Sequence, residues 1–395
     1  MNSLTKYDVL VYLSNGDVEI DELIRQLRQN AIFRAKERKI RLLLAELQKD
    51  GFISKNKQQT DGKSRQSVIV LMNKAIDTLA FLLWLKKDSI DYNIPLKKRH
   101  QQLFHEIFEK GETAIIEKSM FSKPTTLKIA RDLESINFIR AVKRKPLVSR
   151  ANITDKTILF ASIFGYNFDA LQKNIKHARI EKDSPKLREH LIKLHVYSTT
   201  VTEGNTASES DVERVLNNLD SKLSPKEVME IVNAKKAVDE LYRIYKTEAL
   251  SLEMIKKFHK ALMTNLVERP GEISYIRKRI IGSATKLPDS KVEIDTELEA
   301  LFNFYEKYRD RIEPQILASL IHFLFVSIHP FIDGNGRVAR LIHSFILMKA
   351  GLPLFAFNPN HRNTYFDLLD KGRAESVEEF VQFCIDKHKE LIEKL

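Results

Sequence analysis

The chain has 395 residues, too many for one ordinary core, so two or three domains are expected. Apolar residues make up 43% of it, which excludes a disordered chain, and a net charge of +12 favours anionic partners without specifying a fold. A lone cysteine, Cys384, excludes an intrachain disulfide, reads as core packing and suits a reducing cytoplasm.

The opening "MNSLTKYDVLVYLSNG" has no basic start, long apolar run or cleavage site, so no secretory leader is expected. The runs "LAFLLWL" and "LASLIHFLFVSI" fall short of the roughly 20 residues of a membrane helix, and no membrane partner is expected. Glycine and proline are scarce and a 3.6-residue apolar period dominates, which predicts a mostly helical protein with a few short hairpins. Helices are expected in "SLTKYDVLVYL", "DVEIDELIRQLRQ" and "FRAKERKIRLLLAELQ". They precede two strands in "GFISKNKQQTDGKSRQSVIVLM" around a basic tip. This order resembles a winged helix-turn-helix, whose third helix enters the major groove while the wing contacts phosphate. The resemblance implies a DNA-binding face at Arg34, Lys36, Arg38, Lys39 and Arg41, helped by Lys55, Lys57, Lys63 and Arg65 in the wing.

An echo follows. In "LLAELQKDGFISKNK" and "IARDLESINFIRAVKRK", Leu44, Leu47, Phe52 and Ile53 align with Ala130, Leu133, Phe138 and Ile139, and Gly51 aligns with Asn137. Gly and Asn best tolerate the left-handed conformation that ends a helix, so each copy reads as helix, stop, strand and basic segment. Before the second copy's helix, Ser122 is expected as a cap and Pro124 in the first turn. Winged helices also serve as protein-binding modules, and that reading stays open beside DNA.

From about residue 151 the helical texture continues alone. One segment breaks it: "RKRIIGSATKLPDSKVEI" reads as an exposed hairpin, with Ile280 and Ile281 in one arm and Val292 and Ile294 in the other.

The densest chemistry lies in "HPFIDGNGRVAR", residues 329–340. Asp333-Gly334-Asn335-Gly336 allows positive φ, which turns successive N–H groups toward one point, and Asn335 is expected to cap the next helix. Arg337 and Arg340 share a face at a helix N-terminus, where acids are favoured and arginines are not. The arrangement calls for a polyanion, most simply the phosphates of a nucleotide. Asp333 is the one acid present and suits Mg²⁺, which takes one or two carboxylates plus phosphate oxygens. His329, with an ordinary pKa near 6.5, suits proton removal from a hydroxyl. A metal bound by His329 and Asp333 alone is the competing reading. No second His pair stands at ligand spacing, and His322 and His343 read as isolated in apolar surroundings.

The twelve residues resemble the Fic signature, His-Pro-Phe-x-Asp/Glu-Gly-Asn-Gly-Arg-x-x-Arg, at every fixed position, and the likeness extends over roughly 190–390. It implies an adenylyltransferase that moves AMP from ATP to a Ser, Thr or Tyr hydroxyl of a protein, itself included. By the resemblance, His329 is the general base, Asp333 the Mg²⁺ ligand and Phe331 the loop's anchor. Gly334, Asn335 and Gly336 cradle phosphates that Arg337 and Arg340 hold. Phosphorylating relatives carry Lys at the last glycine of the loop, so Gly336 favours AMP transfer. "TTVTEGN", 199–205, resembles the family's inhibitory helix, with Thr199, Glu203 and Asn205 on its fixed positions; Glu203 would pair with Arg340 and block the γ-phosphate. Reversal of the transfer by the same glutamate is a further option. The segment with Ile280, Ile281 and Gly282 occupies the place of the target-docking flap. Tyr365 matches an aromatic on the adenine side, while Arg373 stands where close relatives often have Asn, which puts the adenine contacts in doubt.

The expected fold is mainly α: a Fic-type helical core with a short β-hairpin flap, preceded by two winged helix-turn-helix-like domains. The expected boundaries are 1–75, 76–150 and 151–395, with the inhibitory helix at about 195–205. The expected partners are ATP with Mg²⁺, a protein substrate, DNA and, as an option, a second copy in a homodimer. Two other readings compete. One is a DNA-binding regulator whose Fic domain senses nucleotide with little turnover. The other is a toxin-type enzyme with a separate antitoxin, against which the internal "TEGN" argues.

Overall fold

The computed structural model describes residues 4–13, 18–29, 36–58, 66–114, 119–176, 185–280, 283 and 285–394. The first unit runs α1 Lys6–Leu13, β1 Val18–Glu19, α2 Ile20–Gln29, α3 Glu37–Lys49, β2 Ile53–Gln58 and β3 Gln66–Leu71, and its antiparallel sheet has the order β1-β3-β2. Ile40, Leu44 and Leu47 recur at helical spacing on α3 and bury against Val9, Leu10, Leu23 and Leu27, forming a small core separate from the rest. Helix α4, Asn73–Lys87, leaves this unit: Leu82 belongs to the small core, while Phe81, Trp84 and Leu85 belong to the large one.

The second unit runs α5 Asn93–Leu96, α6 Lys98–Lys110, β4 Thr113–Ala114, α7 Lys123–Ser135, β5 Ile139–Arg144 and β6 Leu147–Ala151, and its sheet order β4-β6-β5 repeats that of the first. The echo holds at atomic level. Gly51 (φ 75°) and Asn137 (φ 61°) are both left-handed, and Phe52 and Phe138 donate backbone N–H bonds to Leu47 and Leu133 at 2.8 and 2.9 Å. Ser122 stands at the cap position of α7 with Pro124 in the first turn, but its hydroxyl bonds Thr125 Oγ1 (2.9 Å) instead of a backbone N–H.

This second unit has no core of its own. Phe104, Phe138 and Phe160 pack at 5.1–5.5 Å between ring centroids and belong to the large core. Asn137 Nδ2 donates to the Ala374 carbonyl (2.6 Å), and Arg150 pairs with Glu378. The hydrophobic core therefore runs unbroken across residue 150.

The remainder is helical: α8 Asp155–Phe164, α9 Asp169–Asn174, α10 Pro185–Thr202, α11 Glu209–Leu216, α12 Pro225–Ile244, α13 Leu252–Met263, α14 Lys291–Tyr308, α15 Pro314–Ile328, α16 Asn335–Lys349, a 3₁₀ turn at Pro359–His361, α17 Arg362–Ala374 and α18 Glu378–Ile392. Residues 315–328 of α15 are buried on every side, as a predominantly apolar run requires. No described helix is long and apolar enough to cross a membrane.

The expected hairpin at 277–294 is corrected. No described residue of it forms a strand, and Val292 and Ile294 lie in the first turns of α14. The reason is a capping box: Ser290 Oγ accepts from Glu293 N (3.2 Å), and the Glu293 carboxylate accepts from Ser290 N (3.3 Å). Ile281 and Gly282 lie outside the described residues.

Candidate active site

The site forms where the buried α15 ends and α16 begins. His329 terminates α15 in the left-handed conformation (φ 53°), and its N–H still reaches the Phe325 carbonyl at 3.0 Å. Phe331 plunges into the core and stacks on His259 of α13, with rings 3.8 Å apart and 2° from parallel. His259 Nε2 donates to the Asp333 carbonyl (3.1 Å) while Nδ1 accepts from Gly271 N (2.7 Å). Burial drives its pKa down to about 4, so the imidazole stays neutral as this bonding requires.

Asn335 does not cap α16. Its side chain turns back and clamps the loop, accepting from Phe331 N and donating to Phe331 O, each at 2.9 Å. Gly334 takes the cap position at φ 78°, where a Cβ would come within 2.7 Å of Met263 Sδ. The clamp leaves the first backbone N–H groups of α16 without a side-chain cap.

His329 Nδ1 donates to the Val326 carbonyl at 3.4 Å, which leaves Nε2 as the free base. Burial chiefly, helped by the nearby charges of Lys278 and Arg373, pushes its pKa down to about 4, so the ring is neutral at physiological pH.

Arg337 and Arg340 are buried near the N-terminus of α16, with side chains 5% and 1% exposed. Arg337 faces Asp333 (3.3 Å) and Glu230 (3.8 Å). Arg340 donates from Nε to Thr199 Oγ1 (2.8 Å), and from Nη2 to the Thr199 carbonyl (3.1 Å) and Glu203 Oε1 (2.6 Å). Arg337 Nε and Arg340 Nη1 have no hydrogen-bond partner although both are buried. Such orphaned donors cost about 1–3 kcal/mol unless a ligand satisfies them.

Glu203 stands just past the end of α10. A Cβ on Gly336 would strike its Oε1, so glycine at 336 is what lets the carboxylate lie over the helix terminus. Asn205 secures the turn, donating to Glu230 Oε2 (2.8 Å) and the Glu227 carbonyl (3.2 Å) and accepting from Ala207 N (3.0 Å).

A cavity of about 610 Å³ opens above these groups, lined among others by Glu203, His329, the 332–336 loop, Arg362 and Arg373. Tyr365 lies on its floor but is almost wholly buried, with its hydroxyl 2.7 Å from His322 Nε2. His322 and His343 are not isolated: their Nδ1 atoms are 3.3 Å apart, and both rings are held neutral by burial. Arg373 is anchored by Ser327 Oγ (3.0 Å) and Asp370 Oδ1 (2.8 Å), while its Nη2 has no partner. Ile280 is half-buried on the cavity wall. Sequence reading missed His259, Arg362, whose Nε donates to the Thr202 carbonyl (2.7 Å), and Lys278, whose Nζ donates to the Pro330 carbonyl (3.2 Å). Nothing local marks them, because each acts across more than 50 residues of sequence.

Asp333 suits a magnesium. Its side chain is 61% exposed at the cavity mouth, with Oδ1 accepting from Gly334 N (2.6 Å). Among the described residues no group of three or more His, Cys, Asp or Glu gathers, so such an ion would lean on Asp333 and on phosphate oxygens.

The expected DNA-binding residues sit elsewhere. Lys36 and Arg38 are exposed and Lys39 is half-buried, all at the start of α3. Arg41 is tied to Glu37 (2.9 Å) and Asp21 (3.4 Å). Arg34, Lys63 and Arg65 lie outside the described residues.

Residues 249–347 match the Fic/DOC family. The chain is 28% identical over 196 residues to "Protein adenylyltransferase Fic" of Nematostella vectensis, covering 48% of this chain and 45% of that protein. It is 28% identical over 211 residues to the protein of the same name from Aedes aegypti, covering 49% of this chain and 39% of that one. The chain thus spans under half the length of these relatives. A Fic-domain-containing signalling protein from Bacteroides thetaiotaomicron shares the fold with a TM-score of 0.50 at 18% identity, over 60% of this chain and 94% of that one. The match to the Fic/DOC family covers the signature loop, its two buried arginines and the helices that carry them.

Proposed function

We propose that the chain is a protein adenylyltransferase held in check by its own Glu203. The observation that carries this reading is the buried Arg340, which shares one N–H with Glu203 and keeps another unpartnered. A triphosphate satisfies what the chain leaves open there: free N–H groups at a helix N-terminus and two guanidiniums.

In the transfer, a target hydroxyl oxygen attacks the α-phosphorus of ATP, the bond to the β-phosphate breaks, and pyrophosphate leaves. His329 Nε2 takes the hydroxyl proton. Its neutral state supports that role, and the charge of bound phosphate raises its basicity from the low value of the empty site. Asp333 would hold a magnesium, which supplies charge neutralisation at the phosphates. Arg337 and Arg340 position the β- and γ-phosphates, and Glu203 competes for Arg340. Purified protein incubated with α-labelled ATP and magnesium tests this: label should enter the chain itself, and His329→Ala should stop it. Equal labelling of that variant removes His329 from the chemistry.

A second reading concerns the first unit, whose helix–strand–helix–helix–hairpin order and exposed Lys36 and Arg38 favour contact with duplex DNA. Full-length protein should then bind a duplex with an affinity that falls steeply between roughly 50 and 200 mM salt. Absence of binding at the low-salt end assigns the unit to protein contacts.

A further inference from the structure

We propose that a basic cleft between the end of α4 and residues 277–279 and 285–287 reads acidic residues flanking the acceptor hydroxyl, so that the substrate class is a Ser, Thr or Tyr set beside Asp and Glu. The inference rests on the transfer reading above and names its target chemistry.

The cleft encloses about 560 Å³ and is lined by six cationic side chains, Lys86, Lys87, Arg277, Lys278, Arg279 and Lys286, against Asp289 and Glu293. Glu293 is committed to the cap of α14 through Asp289 N (3.0 Å) and Ser290 N (3.3 Å). Among the described residues, no carboxylate lies within ion-pair distance of Lys86, Arg277, Arg279 or Lys286. The Lys87 side chain is nine-tenths buried, and its Nζ has no hydrogen-bond partner. The nearest carboxyl, Glu297, lies at 3.7 Å, and burial raises its pKa, which weakens that pairing. Lys286 Nζ donates to the Lys87 carbonyl (3.3 Å), which joins the two walls.

The cleft adjoins the active site. Lys278 Nζ rests on the carbonyl of Pro330, the residue after His329, and Arg279 and Ser283 line both the cleft and the active-site cavity. An extended peptide advances about 3.3 Å per residue. With its hydroxyl at His329, its next few residues fall among these cations, where opposite charge steers binding and like charge is rejected. The lining holds no aromatic side chain, so a single-stranded nucleic acid finds no stacking platform there.

The test uses the full chain and three fluorescein-labelled peptides with a central Ser, flanked by Asp and Glu, by Gln, or by Lys. Anisotropy should report roughly tenfold or tighter binding of the acidic peptide over the Gln peptide at low salt, weakening as salt rises. The exposed-site variant Lys86→Glu/Lys286→Glu, checked for fold by circular dichroism, should reverse the order and prefer the Lys peptide. Equal binding of acidic and Gln peptides, or an unchanged order in the variant, overturns the proposal. So does displacement of the acidic peptide by an oligonucleotide of equal charge at lower concentration, which gives the cleft to nucleic acid. Labelled AMP transfer to the same peptides by Glu203→Gly separates the two claims. Ordered binding without transfer to any peptide or to the chain sinks the transfer reading and leaves an acidic-peptide site; transfer indifferent to flanking charge sinks the proposal.

Discussion

Two arginine-bearing helix starts behave in opposite ways. On α3, Arg41 is half exposed and pairs along its own helix with Glu37, as a solvated face does. On α16, Arg337 and Arg340 are sealed in the core side of the loop, and each keeps a buried N–H without a partner. Surface pairs of the first kind contribute about 0–1 kcal/mol and need no ligand. Buried donors of the second kind carry a cost that an incoming acceptor, such as a phosphate oxygen, removes. The difference separates charge paired at the surface from charge buried with unsatisfied donors, and a charge count along the sequence does not reveal it.

The sharpest break in that comparison is at His329, the proposed base beside the loop that opens α16. His329→Ala should slow AMP transfer about 10² to 10⁴-fold while ATP still binds. In the parent, kcat/KM should lose its acid limb near pH 4 and not near 6.5, because the pKa of the free site is pushed down to about 4 and the base works only when neutral. Next comes Arg337→Ala, which removes a charge-assisted phosphate contact; titration with ATP should show affinity down roughly tenfold to a hundredfold, at about 1.4 kcal/mol per decade.

Glu297 extends the contrast to a buried acid, since neither carboxylate oxygen has a hydrogen-bond partner. Its pKa is raised from 4.5 to about 8, so the folded chain holds a proton that the unfolded chain releases, and stability drains as pH rises across that window. Glu297→Gln should therefore stabilise by about 1–3 kcal/mol at pH 8 and less at pH 5, read from thermal unfolding. At the small end, Arg41→Ala should change stability by under about 0.5 kcal/mol.

The sequence displayed what is local. Gly51 and Asn137 announced two helix stops, and residues 329–340 announced a tight loop opening a helix that carries two arginines, because turn chemistry and helix-end charge are written in adjacent residues. It misled where one pattern fits two structures. "SKVEI" alternates like a strand, yet Ser290 and Glu293 make it a capped helix start. Asn335 has the right type for a cap, but the tight loop turns its side chain onto Phe331. The His322–His343 contact, the His259 stack under Phe331 and the merging of the second unit's core with the rest are products of packing between distant segments.

The account turns on whether Glu203 and a triphosphate compete for Arg340. Self-labelling from α-labelled ATP, compared across the parent, Glu203→Gly and Glu203→Gly/Arg340→Ala, measures this directly. Charge-assisted pairs are worth about 1.5–3 kcal/mol, so Glu203→Gly should label roughly tenfold to a hundredfold faster than the parent. The double variant should fall back to the parent's rate or below it. A Glu203→Gly variant no faster than the parent, or a double variant as fast as Glu203→Gly, contradicts the account.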